Sequence, residues 1–360
     1  MNRCDVLSNY IKCGKLKADS ILITSNINRL YLSGFNSSYG FIVIFKDIAY
    51  LLVDFRYFEA AKKEVKDMEV LLFNNIKETL SKLMKDKNIS SLSYENEGIS
   101  LGRSLELNEF FKSINVDIIN DINVDKIINQ MRMIKSNDEL KKIKESQRLT
   151  DESFNYIINR IRQGMTEREI ALDIEFFMRK NGADRTAFDF IIASGENTSM
   201  PHAVPTNKVI NDGDLVTMDI GSVLDGYNSD MTRTVAMNAI DNEKKKVYDL
   251  VLDAQIKALN AVKSGIECSY VDKIARDTIY NAGYNGCFGH ATGHSVGLEV
   301  HERPSLSPND KTILKENMVI TIEPGIYIEN KFGVRIEDMV VIKKDNCTNF
   351  TSSTKELIVL

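Results

Sequence analysis

The chain is 360 residues long, 43% hydrophobic and 27% charged, a soluble globular balance that excludes fibrous and disordered classes. That length is too great for one ordinary core and suits two domains. A net charge of −5 and a pI near 5.6 exclude the basic footprint of a nucleic-acid or anionic-membrane binder.

Residues 1–23 mix Lys and Asp with short apolar runs and hold no signal-peptide core. No apolar run reaches the ~18 residues of a membrane span. Cys4, Cys13, Cys268, Cys287 and Cys347 are odd in number and show no CxxC spacing, which suits reduced thiols. The expected compartment is the cytosol.

From residue 20 to 117, β-rich runs at 21–24, 41–45, 49–53 and 70–73 alternate with helix-like stretches at 58–66 and 76–87. This is an α/β layer in its own right. Ser136 and Glu139 form a capping box that opens a helix over 138–163, with Gly164 as its stop. The expected domains are therefore 1–125 and 126–360. A second box, Thr166 with Glu169, opens a helix ending near Gly182, and a strand follows at 188–193. Strands at 215–220 and 231–237, helices at 243–263 and 269–281, and strands at 319–323 and 334–342 complete the second domain. The order lacks a βαβ rhythm, so it predicts an α+β sheet covered by helices.

All four histidines, His202, His290, His294 and His301, fall in the second domain. The carboxylates are sharper. Asp219 interrupts the apolar run 215–220, and a buried, unpaired carboxylate costs several kcal/mol, so it requires a cation nearby. Asp225-Gly226 is a strong hairpin signal. With those two residues as the loop, Asp219 faces Thr232, and Asp230 is its diagonal neighbour on the same face, roughly 7–8 Å away. That spacing lets two inward carboxylates straddle metal ions about 3.5–4 Å apart. Glu323 ends one apolar strand before Pro324-Gly325, and Glu337 sits inside another, sharing a face with Arg335. His294, in the glycine-bounded run 289–294, completes four carboxylates and one imidazole. Such a set suits divalent Mn, Co or Fe, with Zn also open, and excludes the thiolate class.

The segments Met218-Asp219-Ile220-Gly221, Ser229-Asp230-Met231-Thr232-Arg233-Thr234, Thr292-Gly293-His294-Ser295-Val296-Gly297, Val300-His301-Glu302, Ile322-Glu323-Pro324-Gly325 and Val334-Arg335-Ile336-Glu337-Asp338 resemble the signatures of pita-bread metallopeptidases, the family of aminopeptidase P, prolidase and methionine aminopeptidase. Tyr31-Leu32-Ser33-Gly34-Phe35 and Asp54-Phe55-Arg56-Tyr57 are similar to the N-terminal domain of the proline-specific members. The resemblance implies an α+β chain: a C-terminal pita-bread (creatinase/aminopeptidase) fold behind an N-terminal α/β creatinase-type domain, as a homodimer. It implies that Asp219, Asp230, His294, Glu323 and Glu337 hold two divalent metal ions, Mn2+ above all. It further implies that His202 lies near the substrate and His301 at the scissile carbonyl, with His290 and Arg335 around the pocket. Glu323 is expected to take the attacking water's proton.

The substrates implied are short peptides with proline at the second position. The expected activity is Xaa-Pro aminopeptidase, because 54–57 is closer to the aminopeptidase P pattern; the alternative is Xaa-Pro dipeptidase (prolidase). The position where prolidases often carry an arginine reads Ser305, with Arg303 close by. A metal-free creatinase-like hydrolase and a binding module that lost catalysis are rival readings, and both fit poorly with five intact ligand positions.

Overall fold

The computed structural model describes residues 2–119 and 124–360. It divides into two compact units, 1–132 and 133–360. The first contains α1 (Arg3–Lys12), β1 (Ser20–Ile23), α2 (Asn26–Ser33), β2 (Phe41–Ile44), β3 (Ala49–Val53) and α3 (Phe55–Glu64). It continues through β4 (Glu69–Leu72), α4 (Ile76–Asp86), β5 (Ser91–Tyr94), α5 (Leu101–Ser113), β6 (Asp117–Ile118) and α6 (Val124–Met133).

Its six strands form one mixed sheet in the order β4-β3-β2-β1-β5-β6. Every residue of β1, β2, β3 and β5 is buried, which is why β2 and β3 read as unbroken apolar runs, whereas β5 alternates Ser with Leu and Tyr. Leu22, Val43, Leu52 and Leu92 pack with Leu80 and Met84 of α4 and with Leu107 and Phe111 of α5. Helix α3 begins before the expected residue 58, because the Asp54 side chain accepts from the Arg56 amide and caps the helix there. The boundary also falls later than the expected 125. Asp125 accepts from the amides of Asn96 and Glu97, and Arg132 donates to Asn28, so α6 belongs with the first sheet.

The second unit opens with α7 (Asn137–Ile158) and α8 (Glu167–Lys180), both started by the two capping boxes. Helix α7 stops at Ile158, short of 163, because the chain turns at Asn159 and the Gly164 amide pairs with the Ile210 carbonyl. Next come β7 (Arg185–Thr186), β8 (Ile191–Ser194), β9 (Leu215–Ile220), β10 (Ser222–Leu224), β11 (Tyr227–Asn228) and β12 (Met231–Ala236). Helices α9 (Asn242–Ala261) and α10 (Cys268–Asn281) precede β13 (Gly293–Ser295), β14 (Glu302–Leu306), β15 (Val319–Ile322), β16 (Gly325–Ile328), β17 (Phe332–Arg335), β18 (Asp338–Ile342) and β19 (Cys347–Asn349).

The hairpin register is the one that the Asp225-Gly226 turn predicts. Leu224 faces Tyr227, Val223 faces Asn228 and Thr232 faces Asp219. Both turn residues have positive φ, +50° and +79°, as a type I′ turn requires. Gly221 is obligatory in this hairpin, because a Cβ there would lie 2.2 Å from the Ser229 carbonyl oxygen. Val216, Met218, Ile220, Met231 and Val235 pack against Leu149, Phe154, Ile170 and Ile174 of α7 and α8. The opposite face carries Thr217, Asp219, Thr232 and Thr234.

The expected single strand at 334–342 is two strands. β17 pairs with β16, whereas β18 pairs with β15, so the chain changes sheets between Arg335 and Asp338. Its partner changes sheets at Glu323-Pro324. Each acid therefore sits at a break: Glu323 follows β15, and Glu337 lies between β17 and β18 with its amide donating to the Thr232 carbonyl, 3.1 Å away. Ile320, Ile322, Val334, Ile336 and Val340 pack against Val247, Val251, Val271 and Ile279 of α9 and α10. One helix pair thus backs the hairpin and the other backs the broken strands.

Candidate metal centre

The two strand pairs bring their acids together. Ligand atoms of Asp230, His294 and Glu337 all lie within 4.8 Å of one another. Glu323 joins them through His294, whose Nε2 is 3.3 Å from Glu323 Oε1 and 3.5 Å from Asp230 Oδ2. Asp219 takes a different contact: its Oδ2 accepts from Arg335 Nη2 at 2.7 Å. All four acids are at most about one-sixth exposed at the side chain, and Asp230 and Glu337 are almost fully buried.

Burial pushes Asp230 well up, and Glu337, Asp219 and Glu323 push it further. Glu337 rises for the same reason, burial first and then Glu323 and Asp219. Glu323 is pushed up to about 7, chiefly by burial, with Arg335 pulling the other way and Asp219 adding to the rise. Four carboxyl groups share one guanidinium in a buried space, so they ionise together only where further positive charge stands beside them. Two atoms show where the compensation belongs: Asp219 Oδ1 and Glu337 Oε1 are buried and accept no hydrogen bond from the described residues. Oxygen donors dominated by carboxylate, with a single imidazole, fit divalent cations, and the orphaned oxygens face that need directly.

Burial holds His294 low, and its Nδ1 faces the Ser295 carbonyl at 3.2 Å, which turns Nε2 toward the acids. The His301 ring stands edge-on to it, with centroids 4.4 Å apart, and is also held low, first by burial and then by His294. His202 is exposed. His290 and Arg335 are more committed than the sequence suggests. Burial takes His290 down to about 4, so it is neutral; Nδ1 faces the Ala291 carbonyl at 2.8 Å and must carry the proton. Its Nε2 then accepts from Tyr327 Oη at 2.9 Å, and Tyr327 in turn accepts from Arg335 Nη1 at 2.8 Å. Both nitrogens of His290 are thus engaged, one by the Ala291 carbonyl and one by Tyr327. Arg335 likewise touches one of the four clustered acids, Asp219.

Residues 141–344 match Metallopeptidase family M24, and residues 11–134 match the Creatinase/Prolidase N-terminal domain. The chain belongs to metallopeptidase family M24. It is 41% identical to the Xaa-Pro dipeptidase of Pyrococcus horikoshii over 98% of this chain and 100% of that one. Among solved structures it resembles the Xaa-Pro dipeptidase from Bacillus anthracis, with a TM-score of 0.93 and 35% identity over 99% and 100% of the two chains. It also resembles the X-Pro aminopeptidase from Thermotoga maritima, with a TM-score of 0.91 and 36% identity over 98% and 100%. The pita-bread fold behind a creatinase-type domain is thus the architecture of this metallopeptidase.

Several residues that shape the metallopeptidase site escape a reading of the sequence. Thr232 Oγ1 donates to Glu337 Oε2 at 2.7 Å while accepting from Arg335 Nε at 3.1 Å, so one hydroxyl links the hairpin to the break. Thr321 donates to Glu323. Asp272 on α10 accepts from the Thr292 amide and hydroxyl, and its partner Arg276 donates to the Phe288 and His290 carbonyls, which clamps the histidine-bearing loop. Arg233 reaches the carbonyls of Thr232 and Glu337 and the carboxylate of Asp338. Of these, Thr321 carries a sequence signal, as the polar residue in the otherwise apolar strand Val319–Ile322.

Proposed function

We propose that this metallopeptidase is an Xaa-Pro dipeptidase that holds two divalent ions, Mn2+ the best suited, on Asp219, Asp230, His294, Glu323 and Glu337. The observation that carries the metal reading is the buried acid cluster with two unbonded oxygens. The dipeptidase reading replaces the aminopeptidase one because the Pyrococcus horikoshii and Bacillus anthracis relatives, matched over nearly their full length, are both Xaa-Pro dipeptidases. The Thermotoga maritima relative keeps the aminopeptidase alternative open to assay.

A bond to proline is a tertiary amide without N–H, so a site for it cannot rely on gripping that hydrogen. Bound divalent ions supply a water of lowered pKa and polarise the attacked carbonyl. Glu323, oriented by the Thr321 hydroxyl, takes the proton of the attacking water. His301, beside His294 and open to solvent, stabilises the oxygen that becomes anionic. His202 orients the substrate or passes a proton toward the departing proline nitrogen. Arg303, exposed on β14 two positions from the residue that pairs with His294, offers a cation to the free proline carboxylate. Its neighbour Ser305 is that pairing residue.

One chromatographic assay with added manganese tests the assignment. Xaa-Pro dipeptides should be cleaved and Xaa-Pro-Yaa tripeptides should not; the reverse preference returns the aminopeptidase reading. Glu323→Gln and His301→Ala should each lower turnover at least about tenfold with the fold intact, and wild-type rates would remove those roles. Five free thiols and the absence, among the described residues, of a helix able to cross a membrane support a cytosolic enzyme. A homodimer is the assembly this reading carries, and sedimentation of the native enzyme checks it.

A further inference from the structure

One carboxylate gathers both ends of the segment that bears His202. Glu167, on the first turn of α8, is fully buried. Its Oε1 accepts from the Ser194 amide at 2.7 Å, the Ser194 hydroxyl at 2.9 Å and Asn197 Nδ2 at 3.0 Å. Its Oε2 accepts from the Thr206 amide at 3.0 Å and the Thr206 hydroxyl at 2.6 Å. The backbone adds two further ties, from the Glu167 and Arg168 amides to the Lys208 and Thr206 carbonyls. Burial works to raise the Glu167 carboxyl, yet the hydrogen bonds from Thr206, Asn197 and Ser194 win and hold it below the ordinary value. A group so filled has no capacity left for a ligand, so its work is internal.

Between the two pinned ends runs the short helical turn Gly195–Ser199, followed by Pro201-His202-Ala203-Val204-Pro205. Its outer side chains are open, with Val204 77% exposed and Met200 half exposed, while Thr198 and Ala203 are buried. It meets the site at two places. Thr198 accepts from the Gly333 amide, where a side chain on Gly333 would strike the Thr198 carbonyl oxygen, and the Pro201 carbonyl accepts from Arg335 Nη1 at 3.2 Å. The guanidinium that holds Asp219 therefore also holds the tip of the His202 segment. The tip alone leaves two arms free to swing, and closing them at the base removes that freedom before substrate arrives.

We propose that Glu167 is a positioning residue for His202: by clasping residues 194 and 206 it fixes where the imidazole meets the substrate. The proposal rests on the reading that His202 faces the substrate. Glu167→Gln is the decisive variant, because each oxygen serves a backbone amide. Whichever way the new amide turns, its NH2 group confronts a donor and one end of the clasp opens.

The test is a cycle of Glu167→Gln, His202→Ala and the double variant, assayed on an Xaa-Pro dipeptide with metal-loaded enzyme. Glu167→Gln should lower kcat/KM about tenfold with metal content unchanged, and should add less than about twofold in the His202→Ala background. Amides of 195–206 should exchange hydrogen faster in Glu167→Gln. Equal factors in both backgrounds, or wild-type kinetics in Glu167→Gln, would overturn the proposal while leaving His202 in place. Wild-type kinetics in His202→Ala would remove the reading of His202 and the proposal with it. Should Glu167→Gln not fold, Thr206→Val takes its place in the cycle. That variant keeps the carboxylate and loses one hydroxyl donor, and its expected loss of about threefold should likewise vanish beside His202→Ala.

Discussion

The hairpin β9–β12 and the hairpin β15–β18 each deliver two acids to the same place, and they differ in where the acids sit. Both hold one register across a break between sheets: Val223–Asn228 and Asp219–Thr232 belong to the first, Ile322–Asp338 and Gly325–Arg335 to the second. In the first, Asp219 lies inside β9 and Asp230 in the gap before β12; in the second, Glu323 and Glu337 both lie in the gaps, and hydrogen bonds from Thr321 and Thr232 aim their carboxylates. A break leaves backbone groups that side chains must satisfy, as Thr150 and Ser229 do for the Ser222 amide and Arg233 does for the Glu337 carbonyl.

Removal of an acid from either region is the largest effect expected. Asp230→Asn and Glu337→Gln should each lower metal content, read by elemental analysis, and reduce turnover on the order of a thousandfold. Full metal content in one of them, with loss in the other, would mean that the two regions do not form a common centre.

The next effect separates the regions by stability. Arg233 is buried and bridges the Thr232 and Glu337 carbonyls to Asp338, so it splints the break. Arg233→Met leaves Asp338 buried without its guanidinium and should cost about 3 kcal/mol in urea unfolding. Wild-type stability in that variant would show the break to be self-supporting. Thr232→Val tests the one hydroxyl that joins the two regions. It should weaken metal affinity about tenfold with little change in unfolding, since Glu337 and Arg335 lose a shared partner but no charge.

The same contrast explains what could be read from residues alone. The all-buried strands β1, β2 and β3, both capping boxes and the Thr232–Asp219 pairing follow from period, caps and turn chemistry, which are local, whereas β5 is absent from the strands expected. The identity of the acids was legible because a carboxylate in an apolar run has few innocent explanations. The split at Ile336-Glu337 was not legible, because 334–342 has the composition of one continuous strand and its pairing keeps a single register across the break, with Ile322 facing Asp338 and Gly325 facing Arg335. The ties of Asp219 to Arg335, of His290 to Tyr327 and of Glu167 to both ends of 194–206 were also invisible. They join residues far apart in the chain, and no local spacing encodes them.

Acidification offers the smallest and most local test. Burial raises the Asp338 carboxyl, but Arg233 and Lys355 outweigh it and hold it below the ordinary value of 3.8. Since the folded value is the lower one, this group's contribution to stability is complete above 3.8 and is lost as pH falls through the folded value. The loss should appear first where Asp338 sits, in the amides of residues 336–338, because protonation releases the Arg233 and Lys355 contacts that brace the break. The hairpin owes its register to backbone pairing and a turn, so the amides of 215–220 have no comparable dependence. In metal-free protein, hydrogen-exchange protection at 336–338, corrected for intrinsic rates, should fall about threefold to tenfold only once pH drops below 3.8, while 215–220 holds steady. A parallel decline in both would mean that the charges around Asp338 stabilise the domain as a whole and give the break no support of its own.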